Sequence, residues 1–186
     1  MEILPVSAKS IKRARQIIKR GGLVIYPTET VYGLGVDITN LTAVKKVFAA
    51  KGRNFNKPLS VMIASLADLK KLVYLNKKQE TIVSGLLPGP FTLILRKKRI
   101  VFNLLTSGSS KVGVRWSRDK FCQQLVWHLP VTATSANLSD HGNSLSIKKL
   151  AKDFAGQVDL ILVGKKMGGQ PSRVIDLTTK PFKILR

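Results

Sequence analysis

Acidic residues are scarce in this chain: 10 Asp and Glu stand against 32 Lys and Arg, a formal net charge of +22. Cysteine is almost absent, and the single Cys122 excludes an internal disulfide and any multi-cysteine metal cluster. The two histidines, His128 and His141, lie far apart without metal-ligand spacing, so no protein-held metal is expected. No apolar run approaches the roughly 18–20 residues that cross a bilayer. Met1 to Ser10 lack the charged-then-apolar layout of a secretory signal. Together these absences lead to the expectation of a cytoplasmic protein with no membrane partner. Internal repeats, low-complexity tracts and linkers are also missing, and no Gly-Lys-Ser/Thr ending marks a P-loop.

What is present suits a folded α/β chain. A hydrophobic fraction of 44% argues against disorder, and 186 residues can bury a real core within one domain, read here as 1–186. Ser7 or Ser10 can cap a helix to about Arg20 that buries Ala8, Ile11, Ala14, Ile17 and Ile18, with Gly21-Gly22 ending it. Strand-like segments at Leu23–Tyr26, Leu59–Ala64, Phe91–Leu95, Val112–Val114, Pro130–Ala133, Leu160–Val163, Val174–Leu177 and Phe182–Leu185 alternate with helical ones at Thr42–Ala50, Leu66–Leu72, Lys77–Leu87, Asp119–Leu129 and Ile147–Phe154. Such mixing predicts a layered α/β domain with a twisted mixed sheet flanked by helices. The strand order is not legible from the pattern.

Much of the excess charge must lie on the surface, where it favours polyanions: nucleic acid, nucleotides or an acidic membrane. A general basic bias of the organism's proteins is the competing explanation. Lys9, Lys12, Arg13, Lys19 and Arg20 share the outer side of the first helix, and Arg96 to Arg99 form a second basic cluster.

Three segments concentrate polar chemistry. Pro27-Thr28-Glu29-Thr30-Val31-Tyr32-Gly33-Leu34-Gly35 follows a strand and joins hydroxyls and a carboxylate to glycines that admit close backbone approach. Lys51 to Pro58 places Lys51, Arg53 and Lys57 at a helix end, where a guanidinium fork and ammonium groups suit phosphate oxygens. Val131 to Ser139 runs from an apolar strand into hydroxyls and amides, as ligand-binding strand ends do in α/β sheets. Each segment has a plainer reading as well: a capped turn, a solvated basic loop or helix-end cations, and Ser/Asn turn capping.

Taken in order, the nine-residue string, Lys51-x-Arg53, Lys57-Pro58-Leu59, Pro88-Gly89-Pro90-Phe91-Thr92, Val112-Gly113-Val114-Arg115 and Thr134-Ser135-Ala136-Asn137-Leu138-Ser139 resemble the YrdC-like L-threonylcarbamoyladenylate synthases, from about Gly21 to Arg186. The resemblance implies a nucleotidyltransferase that makes threonylcarbamoyl-AMP and pyrophosphate from L-threonine, bicarbonate or CO2, and ATP with its Mg²⁺. The product would serve tRNA modification through a downstream threonylcarbamoyl transferase, with tRNA contact through the basic surface. The resemblance also implies roles: a core of Lys51, Arg53, Ser135 and Asn137, threonine at Thr30, Arg115, Ser135 and Ser172, and ATP at Arg53, Lys57, Asn137, Ser144 and Arg186. Met62, Lys111 and Arg173 depart from the family's usual residues, and Asp140 to Ser146 lacks its usual spacing. Glu29 is open as a base, a capping residue or a structural ion pair, Cys122 reads as core, and Trp116 and Trp127 read as packing residues or base-stacking ones. A non-catalytic RNA-binding or ribosome-associated protein on the same fold is the alternative, and cations without the Lys-x-Arg and Ser-x-Asn pairing would suffice for it. A carbamoyl-transfer module of hydrogenase maturation is disfavoured, because the zinc-finger and acylphosphatase-like regions are missing.

Overall fold

Ser7 starts the first helix: its hydroxyl accepts from the Ser10 amide, and Ser10 returns the bond to the Ser7 amide. The structure, a computed structural model, describes residues 1–139, 145–164 and 168–185. Ahead of that helix an edge strand that sequence pattern does not disclose, β1 (Glu2–Pro5), pairs with residues 160–163. Helix α1 (Ala8–Lys19) buries Ile11, Ala14, Ile17 and Ile18 as its spacing predicts, while Ala8, expected with them, is exposed in the first turn; the chain then leads into β2 (Val24–Tyr26).

The end of the glycine-bearing string is itself a strand, β3 (Gly33–Gly35), antiparallel to β2. Glycine is required there by the fully buried Tyr26 ring. A Cβ on Gly33 would lie 2.8 Å from Tyr26 Cζ, and one on Gly35 2.7 Å from Tyr26 Cε1. The chain continues through α2 (Leu41–Lys51), β4 (Val61–Met62), α3 (Leu66–Leu72), α4 (Lys77–Leu86), β5 (Phe91–Arg96), β6 (Lys111–Arg115) and α5 (Lys120–Val126). It then forms β7 (Val131–Thr132), β8 (Thr134–Ser135), α6 (Ile147–Asp153), β9 (Leu160–Val163), β10 (Arg173–Asp176) and β11 (Lys183–Ile184). The fifth helix stops short of the expected Leu129 because Trp127 and His128 leave helical dihedrals, His128 at φ 52°.

The architecture is α/β as expected, with the strands divided between two mixed sheets. One has the order β1-β9-β2-β3-β8 and the other β11-β10-β5-β6-β4-β7. The chain crosses between them at Ala133. Val131 and Thr132 pair with β4 in the six-stranded sheet, while Thr134 and Ser135 pair with β3 in the five-stranded one. A large core cluster holds Phe48, Leu34, Ile161, Leu93 and Val114. A second lies between α1, α5 and the sheets, with Ile18, Leu125, Met62 and Val131. Cys122 belongs to it at 1% exposure, and burial pushes its thiol up to about 12, as befits a core residue.

Candidate active site

Period-2 alternation gives the six-stranded sheet one apolar and one polar face. Leu93, Leu95, Val112 and Val114 enter the core, while Thr92, Lys111, Gly113, Arg115 and Asp176 face the other way. That polar face floors a cavity of about 400 Å³, walled by Val31, Arg53, Ser60, Ser109, residues 133–135 and Ser172. Gly113 keeps the floor open between its two cationic ends: a Cβ there would sit 2.6 Å from Ser60 Oγ. Register sets Arg115 opposite Thr92, and Thr92 Oγ1 lies 2.8 Å from Ser172 Oγ.

Arg115, at one end, is 7% exposed. Its Nη2 donates to Glu29 Oε1 at 2.9 Å and to Thr30 Oγ1 at 2.5 Å, and Thr28 Oγ1 lies 2.9 Å from Thr30 Oγ1. Ser117 Oγ occupies the other Glu29 oxygen. Both oxygens of Glu29 are thus engaged, which makes it a structural ion pair. Arg115 Nε is buried without a partner among the described residues. At the far end Lys111 Nζ donates to Asp176 Oδ2 at 3.0 Å. Burial works to raise the Asp176 carboxyl, but hydrogen bonds from Thr178 and Lys111 outweigh it and hold the group below its ordinary value.

The Lys-x-Arg and Ser-x-Asn elements meet in space. Lys51, at the end of α2, is 2% exposed. Its Nζ donates to Ser135 O at 2.5 Å, Asn137 O at 2.6 Å and Asn137 Oδ1 at 3.3 Å. Ser135 Oγ donates to the same Oδ1 at 2.5 Å, and the Ser139 amide to Lys51 O at 2.8 Å. Burial, assisted by the charge of Arg53, pushes the Lys51 ammonium down to about 7. Lys51 and Asn137 stand behind Ser135 rather than on the cavity wall, so they shape the turn that presents it.

Arg53 lines the cavity and curls onto its own loop, its Nε donating to Lys57 O and its Nη2 to Pro58 O, each at 3.0 Å. Lys57 is exposed outside the wall. Ser107 Oγ pins the loop through Phe55 O at 2.6 Å, and the Phe48 and Phe55 rings meet at 4.8 Å. Ser144 and Arg186 lie outside the described residues. Ser60, Thr92, Ser109 and Asp176 line the cavity without having been given a site role from sequence; strand alternation carries the signal for Thr92 and Asp176, but only once the facing strands are known. Met62, paired with Arg115 in register, is fully buried against a small recess beside Thr28, Arg115 and Ser135.

The Sua5/YciO/YrdC family model, described as telomere recombination, matches residues 16–186. A threonylcarbamoyl-AMP synthase of Pyrococcus abyssi is 38% identical over 180 residues, 95% of this chain and 53% of that one. A putative threonylcarbamoyl-AMP synthase of Methanocaldococcus jannaschii is 30% identical over 182 residues, 95% of this chain and 86% of the relative. The crystal structure of P. abyssi Sua5 complexed with L-threonine superposes with a TM-score of 0.95 at 35% identity, covering 100% of this chain and 57% of that chain. This chain thus spans about half the length of the Pyrococcus relative. With most of its length matched by one family model and two curated relatives aligned over 95% of it, the chain belongs to the Sua5/YciO/YrdC family.

Proposed function

We propose that this protein is an L-threonylcarbamoyladenylate synthase, a nucleotidyltransferase acting in tRNA modification. The observation that carries the reading is the shared cavity: Arg115, Ser135, Ser172 and Arg53 converge on it from four separate segments, with Lys51 and Asn137 bracing the turn behind. A non-catalytic RNA-binding surface needs exposed cations, not a recessed pocket of this kind. The names of the Pyrococcus and Methanocaldococcus relatives agree with it.

In this reading the Arg115 guanidinium takes the carboxylate of L-threonine, with Thr30, Ser135 and Ser172 supplying hydroxyls around the amino acid. The amine captures CO2, directly or from bicarbonate with loss of water, and gives up a proton to become a carbamate. A carbamate oxygen then attacks the α-phosphorus of ATP, and pyrophosphate leaves with the electrons of the broken P–O bond. Arg53 meets the nucleotide from the cavity wall, with Asn137 bracing the Ser135 turn and the exposed Lys57 adding positive charge outside that wall, and the family resemblance adds Ser144 and Arg186. Mg²⁺ enters as part of the Mg-ATP substrate, held by phosphate oxygens. The cavity carboxylate Asp176 is already bonded to Lys111 and Thr178, and no three His, Cys, Asp or Glu side chains cluster as a metal site among the described residues. Placement of reactants and offset of phosphate charge supply the rate, as phosphoryl transfer requires. The adenylate passes to a threonylcarbamoyl transferase, and the basic surface contacts tRNA.

Pure protein should release pyrophosphate and form an AMP-containing product only when threonine, bicarbonate and Mg-ATP are all present. Omitting each in turn tests this, and protein that binds neither ATP nor threonine would refute the proposal. In the same assay Arg53→Ala should raise the apparent KM for ATP roughly ten- to hundredfold, the loss of one charge-assisted hydrogen bond. Unchanged kinetics would remove Arg53 from the site.

Met62→Ala should act twice. Emptying a core position of this size costs about 2–5 kcal/mol of stability, read by denaturant unfolding. Enlarging the recess should also shrink the kcat/KM preference for threonine over serine, because one methyl contributes only about 1–3 kcal/mol in a pocket. A preserved preference would place the threonine methyl elsewhere.

A further inference from the structure

Two stripes without a single acidic residue lie side by side on α1 and α5. The first presents Lys12, Arg15, Gln16 and Lys19 at the i, i+3, i+4, i+7 spacing of one helix face, and the second Lys120, Gln123 and Gln124, followed by Trp127 where α5 ends. Shallow depressions run along and between them. Arg15 ties the two helices together, its Nη1 donating to Gln124 O at 3.0 Å and Leu125 O at 2.7 Å and its Nη2 to Trp127 O at 2.9 Å. These are the carbonyls that the end of α5 leaves without helical partners. The backbone of Trp127 is therefore anchored while its side chain projects, 51% exposed, with the His128 ring edge-on at 4.8 Å. Arg13, on the adjacent stripe, is neutralised by Glu2 at 2.5 Å, which leaves Lys12, Lys19 and Lys120 as the exposed cations of this ridge.

We propose that the α1–α5 ridge binds single-stranded RNA, with an unpaired base stacked on Trp127 and the flanking phosphates held by Lys12, Lys19 and Lys120. The inference rests on the tRNA contact proposed above and assigns it a surface. A chain of net charge +22 attracts any polyanion, but the ridge adds features that charge does not require. A large aromatic face on an anchored backbone suits base stacking, and the glutamine amides beside it can bond base edges. Duplex bases are sealed in their stack and offer such a ring nothing, so unpaired nucleotides are the matching ligand. A membrane surface would favour further apolar side chains around Trp127, where the ridge has Gln123 and Gln124.

A 12-nucleotide oligo(U) titrated at low salt tests the assignment. Trp127 is the exposed one of two tryptophans, so the oligonucleotide should quench the protein's fluorescence. Trp127→Leu should abolish the quench and weaken binding about 5- to 150-fold, the range for losing one base stack. Lys12→Gln with Lys19→Gln should lower the slope of log K against log salt by about 1.4, roughly 0.7 for each phosphate contact removed. A blunt RNA duplex should bind through charge without quenching. Wild-type affinity in Trp127→Leu, absence of oligo(U) binding at low salt, or quenching by phosphatidylserine vesicles in place of oligo(U) would each overturn the proposal. Adenylate synthesis measured on the same preparations separates this from the catalytic reading. No RNA binding by a wild-type protein that still makes adenylate rejects the ridge alone, and absent synthesis in the wild type rejects the enzyme reading while the RNA result is judged on its own.

Discussion

Lys51→Met is expected to lower threonine- and ATP-dependent adenylate formation about a hundredfold or more while the protein stays folded, although Lys51 is not on the cavity wall. Its Nζ bonds the carbonyls of Ser135 and Asn137 and the Asn137 side chain, so it sets where the Ser135 hydroxyl stands. A shift of about 1 Å in a positioning group is enough for that loss. Stability should fall less than the bonds suggest. Two carbonyls losing their donor cost about 1–3 kcal/mol each, but methionine has no charge to keep out of water, which offsets part of the cost. The pH dependence separates the two contributions. The Lys51 ammonium falls from an ordinary 10.5 to about 7 in the folded state. Between those values the unfolded chain binds the extra proton, so the stability of the wild type rises with pH through this window relative to the variant. Urea unfolding of both proteins at pH 6.5 and pH 9 reads the difference, and a constant gap would show that Lys51 does not titrate there. Near-wild-type turnover in a folded variant would show that the Ser135 turn holds its shape without Lys51.

Arg115→Met should weaken threonine binding roughly ten- to hundredfold, the loss of a charge-assisted pair with a carboxylate. It should also destabilise the fold, because Glu29 would keep its charge at 23% side-chain exposure with its cation gone. Breaking a fully buried pair costs about 3–5 kcal/mol, and the partial exposure of Glu29 puts this one nearer the lower end. Adding Glu29→Gln removes the stranded charge. The double variant should therefore regain most of the stability and none of the threonine affinity. Calorimetric threonine binding and denaturant unfolding on the single and double variants give both readouts. Recovery of affinity in the double variant would mean that Arg115 matters only as the partner of Glu29, and unchanged affinity in the single variant would take Arg115 out of the threonine site.

The helices were legible because their signals are local. Ser7, Asn40, Ser65, Asn76, Asp119 and Ser146 each cap the helix that follows, and the third helix spans the residues its pattern predicts. The short strands were harder. β3 and β8 carry no alternating apolar run, because one is Gly-Leu-Gly and the other Thr-Ser, and each is a strand only through its partner. The basic face of α1 was visible as a set of cations, but not that Glu2 neutralises Arg13 or that Arg15 reaches the end of α5. Both partners come from elements whose packing no helical period encodes.

By itself the sequence determined the α/β class, the positions of the helices, the excess of positive charge and the three polar segments, all of which depend on residues close together in the chain or on composition. Tertiary structure decided the rest. It divided the strands between two sheets and turned the chain from one to the other at Ala133. It brought Lys51 to Ser135 and Asn137 across more than eighty residues, and paired Glu29 with Arg115 and Ser117. It also gathered Thr92, Lys111, Arg115 and Asp176 from three strands onto one floor. The reason is physical: a strand's period says which residues share a face, but only pairing register says which faces of distant strands join, and a cavity is made where they join.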